Sequence, residues 1–277
     1  MFIYNQWDNF CKKLKDNGMN SVTAAEVQRV AQDKPFLILK HDVETNPSKA
    51  FKLAQIESKY HHKGSYYVQA YLLNNKRNIN ILKNIQKLGH EVTYHHDVMD
   101  SNKGNLEKAD IEFQRNVKLF EKYGFPIETV CQHGNPVAKR VGYYSNRDFF
   151  RDKTIAQRYD SISDIMVNFK RKINVEYKYI SDAGYGWKLI FDPENNDVIE
   201  SPEKDKTLVN LEEVLNVIGS HNSLIISTHP HRWHGNTVSA YIKAKSFIII
   251  RNIAKFMLKM PLLKKLMEKF YYLAKKI

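Results

Sequence analysis

Cysteine is nearly absent: Cys11 and Cys131 are the two in 277 residues, too few for a disulfide framework and not spaced as a thiolate metal site. A reduced, cytoplasmic setting is therefore expected. No run of about eighteen uncharged apolar residues occurs, so no segment is expected to cross a bilayer as a helix. Met1 to Asp8 lack a basic start followed by an apolar core, and no secretory leader is expected. Internal repeats, low-complexity segments and breaks in composition are also missing. With 43% hydrophobic residues, the chain has enough apolar material for the core of one α/β domain.

Acid is the remaining shortage. Thirty Asp and Glu face 43 Lys and Arg, a net charge of +13 that is concentrated at one end. Between Lys243 and Lys276 there are ten basic residues and one acid, Glu268, so this stretch accounts for +9. The expected division is a domain over residues 1–236 and a basic amphipathic helical tail over 237–277, interrupted near Pro261. Phe256, Leu262, Leu263, Leu266, Phe270 and Tyr271 make the tail too apolar for a solvated face. Residues 255–277 are expected to lie on an anionic membrane surface, with apolar side chains in the acyl boundary and each Lys or Arg worth about 1 kcal/mol near the headgroups. For 237–253, packing on the domain is the competing expectation. Nucleic acid is not an expected partner, because the aromatic and basic residues form no stacking platform.

What the chain does have is histidine placed after apolar strands. Residues 36–39 run into Lys40, His41, Asp42, Val43 and Glu44, and residues 91–94 run into His95, His96 and Asp97. Residues 129–132 run into His133, Gly134 and Asn135, and residues 224–227 into Thr228, His229, Pro230, His231, Arg232 and Trp233. Seven of the eleven histidines lie at or just past these four points. Pro35 and the Asn46-Pro47 pair bound the first run, which reads as a buried parallel strand. Residues 47–60, 78–88 and 106–123 carry apolar faces at helical spacing, with Pro47 suited to a first turn and Gly89 and Gly124 as stops. Further helices are expected at 4–17, 22–32 and 210–218, a strand at 65–70, and short strands at 175–180 and 188–191. Strands alternating with helices imply an α/β fold with a parallel sheet and helical crossovers.

In such sheets ligands collect at the carboxyl ends of the strands. Asp42 and Glu44, two residues apart, share a side of their strand, and two carboxylates brought together favour a divalent cation. His95 and Asp97 likewise face one way and His96 the other. A lone acid or imidazole past a strand is usually a cap or a turn residue. Recurrence at the same end of successive strands points instead to one shared pocket. Asp42 or Glu44 with His95 and Asp97 supplies a carboxylate and imidazole metal set. The other carboxylate of the pair then takes a proton from water, and His229 gives one to a leaving group.

The segments Leu39 to Glu44, Gly89 to Asp97, His133 to Pro136, Tyr179 to Asp182 with Trp187, and His229 to Trp233 resemble, in order and style, the polysaccharide deacetylase (NodB-homology) superfamily. More narrowly they resemble its divergent branch associated with capsule and lipopolysaccharide biosynthesis. The likeness covers about residues 35–234. It implies a distorted β/α barrel and a metal-dependent hydrolase that removes an N-acetyl group from a sugar of a surface-polysaccharide precursor, with zinc the expected divalent ion. It also implies Asp42 as general base, Glu44 and His95 as metal ligands, and His229 as general acid with Asp182 behind it. His133, Asn135, Trp187 and Trp233 would line the sugar site. The superfamily's adjacent aspartates are here Asp42-Val43-Glu44, and its second metal histidine falls at Met99, so Asp97 is expected to replace it. The expected partner is an N-acetylated sugar or lipid-linked glycan, met at the cytoplasmic face of the inner membrane. The alternatives are a catalytically silent glycan-binding scaffold of a biosynthetic complex, or an O-acetyl esterase on the same barrel.

Overall fold

The computed structural model describes residues 2–30, 35–135, 138–182, 185–198, 205–220 and 223–257. Two helices, α1 (Tyr4–Asp16) and α2 (Ala24–Val30), precede β1 (Leu37–Val43), α3 (Pro47–Lys59) and β2 (Gly64–Val68). A 3-10 turn (Ala70–Asn74), α4 (Lys76–Lys87), β3 (Glu91–His96), a short α5 (Val98–Ser101), α6 (Leu106–Lys122) and β4 (Thr129–Gln132) follow. The middle of the chain, where the sequence pattern is weakest, holds α7 (Asp148–Arg151), α8 (Lys153–Arg158), β5 (Ser163–Asp164) and α9 (Phe169–Ile173). Next come β6 (Lys178–Ser181), β7 (Trp187–Ile190), β8 (Lys206–Leu208), α10 (Leu211–Ser220), β9 (Leu224–Thr228) and α11 (Thr237–Met257).

The strands form one nine-stranded sheet in the order β5-β4-β3-β2-β1-β9-β6-β7-β8. Pairs from β5 to β6 are parallel, as helical crossovers require, while β7 and β8 add on antiparallel. Among the described residues no pairing joins β5 to β8, so the closure of a barrel is not seen. β1 lies centrally, with Leu39 opposite Gly64 of β2 and Leu37 opposite Leu224 of β9. Each of its residues is buried, because both faces of the sheet are covered. Leu37 and Leu39 cluster with Trp7, Leu14, Leu53 and Val214 from α1, α3 and α10. Ile38 turns to the opposite face, into a core with Tyr67, Cys131, Phe169, Tyr179 and Ile225. That second face is the one on which Lys40 and Asp42 follow Ile38.

On the first face a carboxylate is buried outright. Glu57 of α3 accepts hydrogen bonds from Trp7 Nε1 (2.9 Å) and the Tyr66 hydroxyl (2.8 Å), and its Oε1 lies 2.8 Å from His41 Nε2. His90 stands alongside as a neutral ring, its Nδ1 accepting from the Gly64 amide (2.9 Å) and its Nε2 donating to the Ala54 carbonyl (3.0 Å). A Cβ at position 64 would stand 2.9 Å from Glu57 Oε2 and 3.1 Å from the Leu39 carbonyl oxygen, so glycine permits this approach. Burial works against the Glu57 charge, yet His41 and the Tyr66 hydroxyl together hold its pKa below the ordinary value.

About half of the expected tail, residues 258–277, lies outside the described residues. α11 covers its start and exposes Val238, Tyr241, Ile242, Ile248 and Ile249. No helix among the described residues is long and apolar enough to cross a membrane.

Candidate active site

Strand alternation places Lys40 and Asp42 on one face of β1, and Glu44 follows just past its end. Lys40 Nζ reaches both oxygens of Asp42 (2.5 and 2.7 Å) and donates to Ser227 Oγ (3.2 Å), with the Tyr67 ring 5.4 Å away. Desolvation opposes both charges, and each is kept by the other: Lys40 is pushed above its ordinary pKa and Asp42 below. His229 adds to the depression of Asp42.

β3 ends on His95 and His96, which face opposite sides as the alternation requires. His96 Nε2 meets Asp164 Oδ2 (2.8 Å) in a wall of Phe113, Phe149 and Phe150. His95 Nδ1 is 3.0 Å from the Cys131 carbonyl. A carbonyl oxygen only accepts, so Nδ1 carries the hydrogen and Nε2 keeps its lone pair, the arrangement a metal-binding imidazole needs. Burial drives the His95 pKa down to about 3, which keeps the ring neutral.

His133, just after β4, completes a triangle. Its Nε2 lies 3.2 Å from Glu44 Oε1, and one donor atom each from Glu44, His95 and His133 fall within 4.8 Å of one another. His133 Nδ1 is buried with no partner among the described residues. The loop that carries it is pinned by Asn146, whose amide donates to the His133 carbonyl (2.8 Å) and to Asp100 (2.8 Å). Arg140 spans Asp100 (2.9 Å to each oxygen) and the carbonyl of Asn135 (2.9 Å). Glu44 is buried against its charge, but the His133 hydrogen bond and the neighbouring His229, His133 and His231 hold it well below the usual carboxylate range.

The end of β9 brings His229 to the same rim. His229 Nδ1 is 2.6 Å from Asp182 Oδ1, and Asp182 also accepts from the His229 amide (2.9 Å), Thr228 Oγ1 (2.6 Å) and Arg232 (2.7 Å). Burial opposes ionisation of Asp182, yet Arg232 and His229 hold it charged. His229 Nε2 is thereby aimed at Asp42 Oδ2 and Glu44 Oε1, each 3.8 Å away. His231 Nδ1 lies 4.0 Å from Glu44 Oε2, its pKa lowered by burial to about 4.

Asp42, Glu44, His95, His133, Asp182 and His229 thus converge, and three expectations are corrected. Asp97 is not among the grouped donors: β3 stops at His96, the backbone turns at Asp97 (φ −135°, ψ 32°) into α5, and the residue lines a cleft beside α6 instead. His133 takes the place given to Asp97. Trp187 and Trp233 are core residues, 5% and 0% exposed, packed on Phe2, and Trp233 donates to Thr228 Oγ1 (2.8 Å). Asn135 is buried, with its carbonyl engaged by Arg140. Two neighbours of these groups escaped sequence reading: Lys40, which alternation alone puts beside Asp42, and Tyr71, whose hydroxyl donates to the Glu44 carbonyl.

The donor chemistry fits a divalent cation. A second grouping, Asp42 with His95 and Cys131, also falls within 4.8 Å. It is the poorer set, because burial keeps the Cys131 thiol protonated and Lys40 already holds Asp42. The set of Glu44, His95 and His133 offers one carboxylate oxygen and two imidazoles, the donor types of hydrolytic zinc sites.

No protein-family profile matches the chain, and no curated protein matches it. Among solved structures, a Streptococcus mutans CE4 esterase is similar over 84% of this chain and 89% of its own, with 12% identity and a TM-score of 0.47. At that distance the functional reading rests on the side chains alone.

Proposed function

We propose that the chain is a metal-dependent carbohydrate deacetylase of the polysaccharide deacetylase type, releasing acetate from an N-acetylated sugar of a surface-glycan precursor. The convergence of Glu44, His95 and His133 within 4.8 Å, delivered by three separate strand ends and flanked by Asp42 and His229, carries this reading. A divalent cation such as zinc held by those three residues would supply Lewis-acid polarisation of water and of the acetyl carbonyl. Asp42, kept ionised and fixed by Lys40, accepts the proton released as the water oxygen bonds to the acetyl carbon. His229 keeps Nδ1–H on Asp182 and gives its Nε2 proton to the sugar nitrogen as the C–N bond breaks. Acetate and a free amine remain.

One observation favours a second reading. Lys40 occupies both oxygens of Asp42, and a carboxylate so neutralised is a weak base, as in a silent glycan-binding relative. Acetate release separates the two. The full chain with zinc is expected to free acetate, followed by NMR, from an N-acetylchito-oligosaccharide, to stop on chelation and to resume when zinc is restored. Acetate from an O-acetylated oligosaccharide alone makes it an esterase, and none from either with glycan still bound leaves the scaffold.

We also propose a peripheral place on the cytoplasmic side of an anionic membrane. The sequence beyond Arg251 supports it, with Lys255, Lys259, Lys264, Lys265 and Lys269 interleaved with Phe256, Leu262, Leu263, Leu266 and Phe270. The full chain is expected to co-sediment with vesicles containing phosphatidylserine and to be released by salt, and a chain ending at Arg251 to stay in the supernatant. Salt-insensitive sedimentation of both would defeat the idea.

A further inference from the structure

At the carboxyl ends of β2 and β3 a cleft of about 700 Å³ opens between the 3-10 turn and α6. It is as large as pockets that hold small ligands, and none of the three grouped donors lines it. Tyr71 joins it to the site: the hydroxyl holds the Glu44 carbonyl, and the ring, 41% exposed, forms part of the cleft wall. Gln69 lines the inner end, 3% exposed, and its amide nitrogen has no hydrogen-bond partner among the described residues. A buried donor left without a partner is unfavourable, and a ligand acceptor reaching it relieves that cost. Along the outer wall Arg115, Lys118 and Lys122 fall at i, i+3 and i+7 on α6, all exposed, and none forms an ion pair with an acid among the described residues. At 1.5 Å per residue they track roughly 10 Å of the cleft. Glu112 on the same wall accepts from Asn102 (2.7 Å).

We propose that this cleft binds the continuation of the glycan and that the bound segment is anionic, presenting a carboxylate or a phosphate to Arg115, Lys118 and Lys122. This rests on reading the adjoining site as a carbohydrate site and narrows its substrate to an acidic one of more than one unit. A neutral glycan uses the Tyr71 ring and leaves the cations to water. An anionic one engages both, through charge-assisted hydrogen bonds.

The test is binding, measured by calorimetry on the full chain with three probes: chitohexaose, a hyaluronan hexasaccharide carrying uronates, and UDP-N-acetylglucosamine carrying a diphosphate. At least one anionic probe is expected to bind tenfold or more tighter than chitohexaose, and which one identifies the anion. Arg115→Glu with Lys118→Glu is expected to erase that preference. Lys12→Glu with Lys15→Glu on α1, an equal change in net charge, is expected to keep it. Equal or weaker binding of both anionic probes by the parent chain overturns the proposal, as does a preference that survives the α6 reversal or is lost equally with the α1 reversal. If acetate release fails while the α6-dependent preference holds, the deacetylation reading falls and the cleft stands.

Discussion

Replacing His95 by alanine is expected to abolish zinc binding and to lower acetate release about 10³-fold or more, while replacing His96 leaves zinc binding intact and weakens the fold. His95 donates Nδ1–H to the Cys131 carbonyl, which leaves the Nε2 lone pair free, and the ring groups with Glu44 and His133 within 4.8 Å. Removing it takes away one of three donors, and the Lewis-acid contribution at stake is several kcal/mol, with each 1.36 kcal/mol a factor of ten in rate. His96 is one residue along and on the opposite face, paired with Asp164 and packed on phenylalanines. Its loss strands a buried carboxylate without touching the metal set. Equilibrium dialysis against zinc, acetate release and urea unfolding on both variants separate the two effects. Full zinc affinity in His95→Ala, or loss of zinc in a folded His96→Ala, would remove the metal assignment.

The second large effect concerns stability. Glu57→Ala is expected to lose about 3–5 kcal/mol, because the Trp7 indole N–H and Tyr66 hydroxyl are left buried and unpaired beside His41. Glu57→Gln keeps an acceptor for one of them and is expected to lose less. The sign of the pH effect follows from the lowered folded-state pKa of Glu57. Its contribution is complete above the unfolded value of about 4.3 and disappears as pH falls through the lower folded value. The parent chain should therefore lose urea stability more steeply below about pH 5 than Glu57→Gln. The midpoint should move with an unchanged m-value. A Glu57→Ala midpoint equal to the parent's would show that the buried carboxylate contributes nothing net.

Much of this arrangement was legible because it depends on local patterns. β1, α3, β3, α6, β4 and β9 follow apolar runs and helical stripes closed by Pro47, Gly89 and Gly124. The opposite facing of His95 and His96 follows from a two-residue period that the strand keeps. The same period misplaced Asp97, because it was extended one residue beyond the strand's last rung. It would have paired Lys40 with Asp42 had it been run backwards from the acid. Trp233 was unreadable for a different reason. Its burial depends on the far end of the chain: the Tyr4 amide donates to the His234 carbonyl (3.0 Å), which seats Phe2 and Trp7 over it. Glu57 sits among apolar residues of α3, and no local signal says that an indole, a phenol and an imidazole from α1, β2 and β1 will meet it. The short β5 and β8, of two and three residues, carry too few positions for any periodicity to register.

The central position of β1 has a consequence for how the molecule comes into being. Its two flanking strands, β2 and β9, are made about 160 residues apart, so on a ribosome adding 5–20 residues per second the gap is roughly eight to thirty seconds. During that interval the nascent chain presents an unzipped apolar edge, and Lys40 and Asp42 wait without Ser227. Completion of the cluster therefore waits on the emergence of β9, and until then the free edge of β1 is open to mispairing.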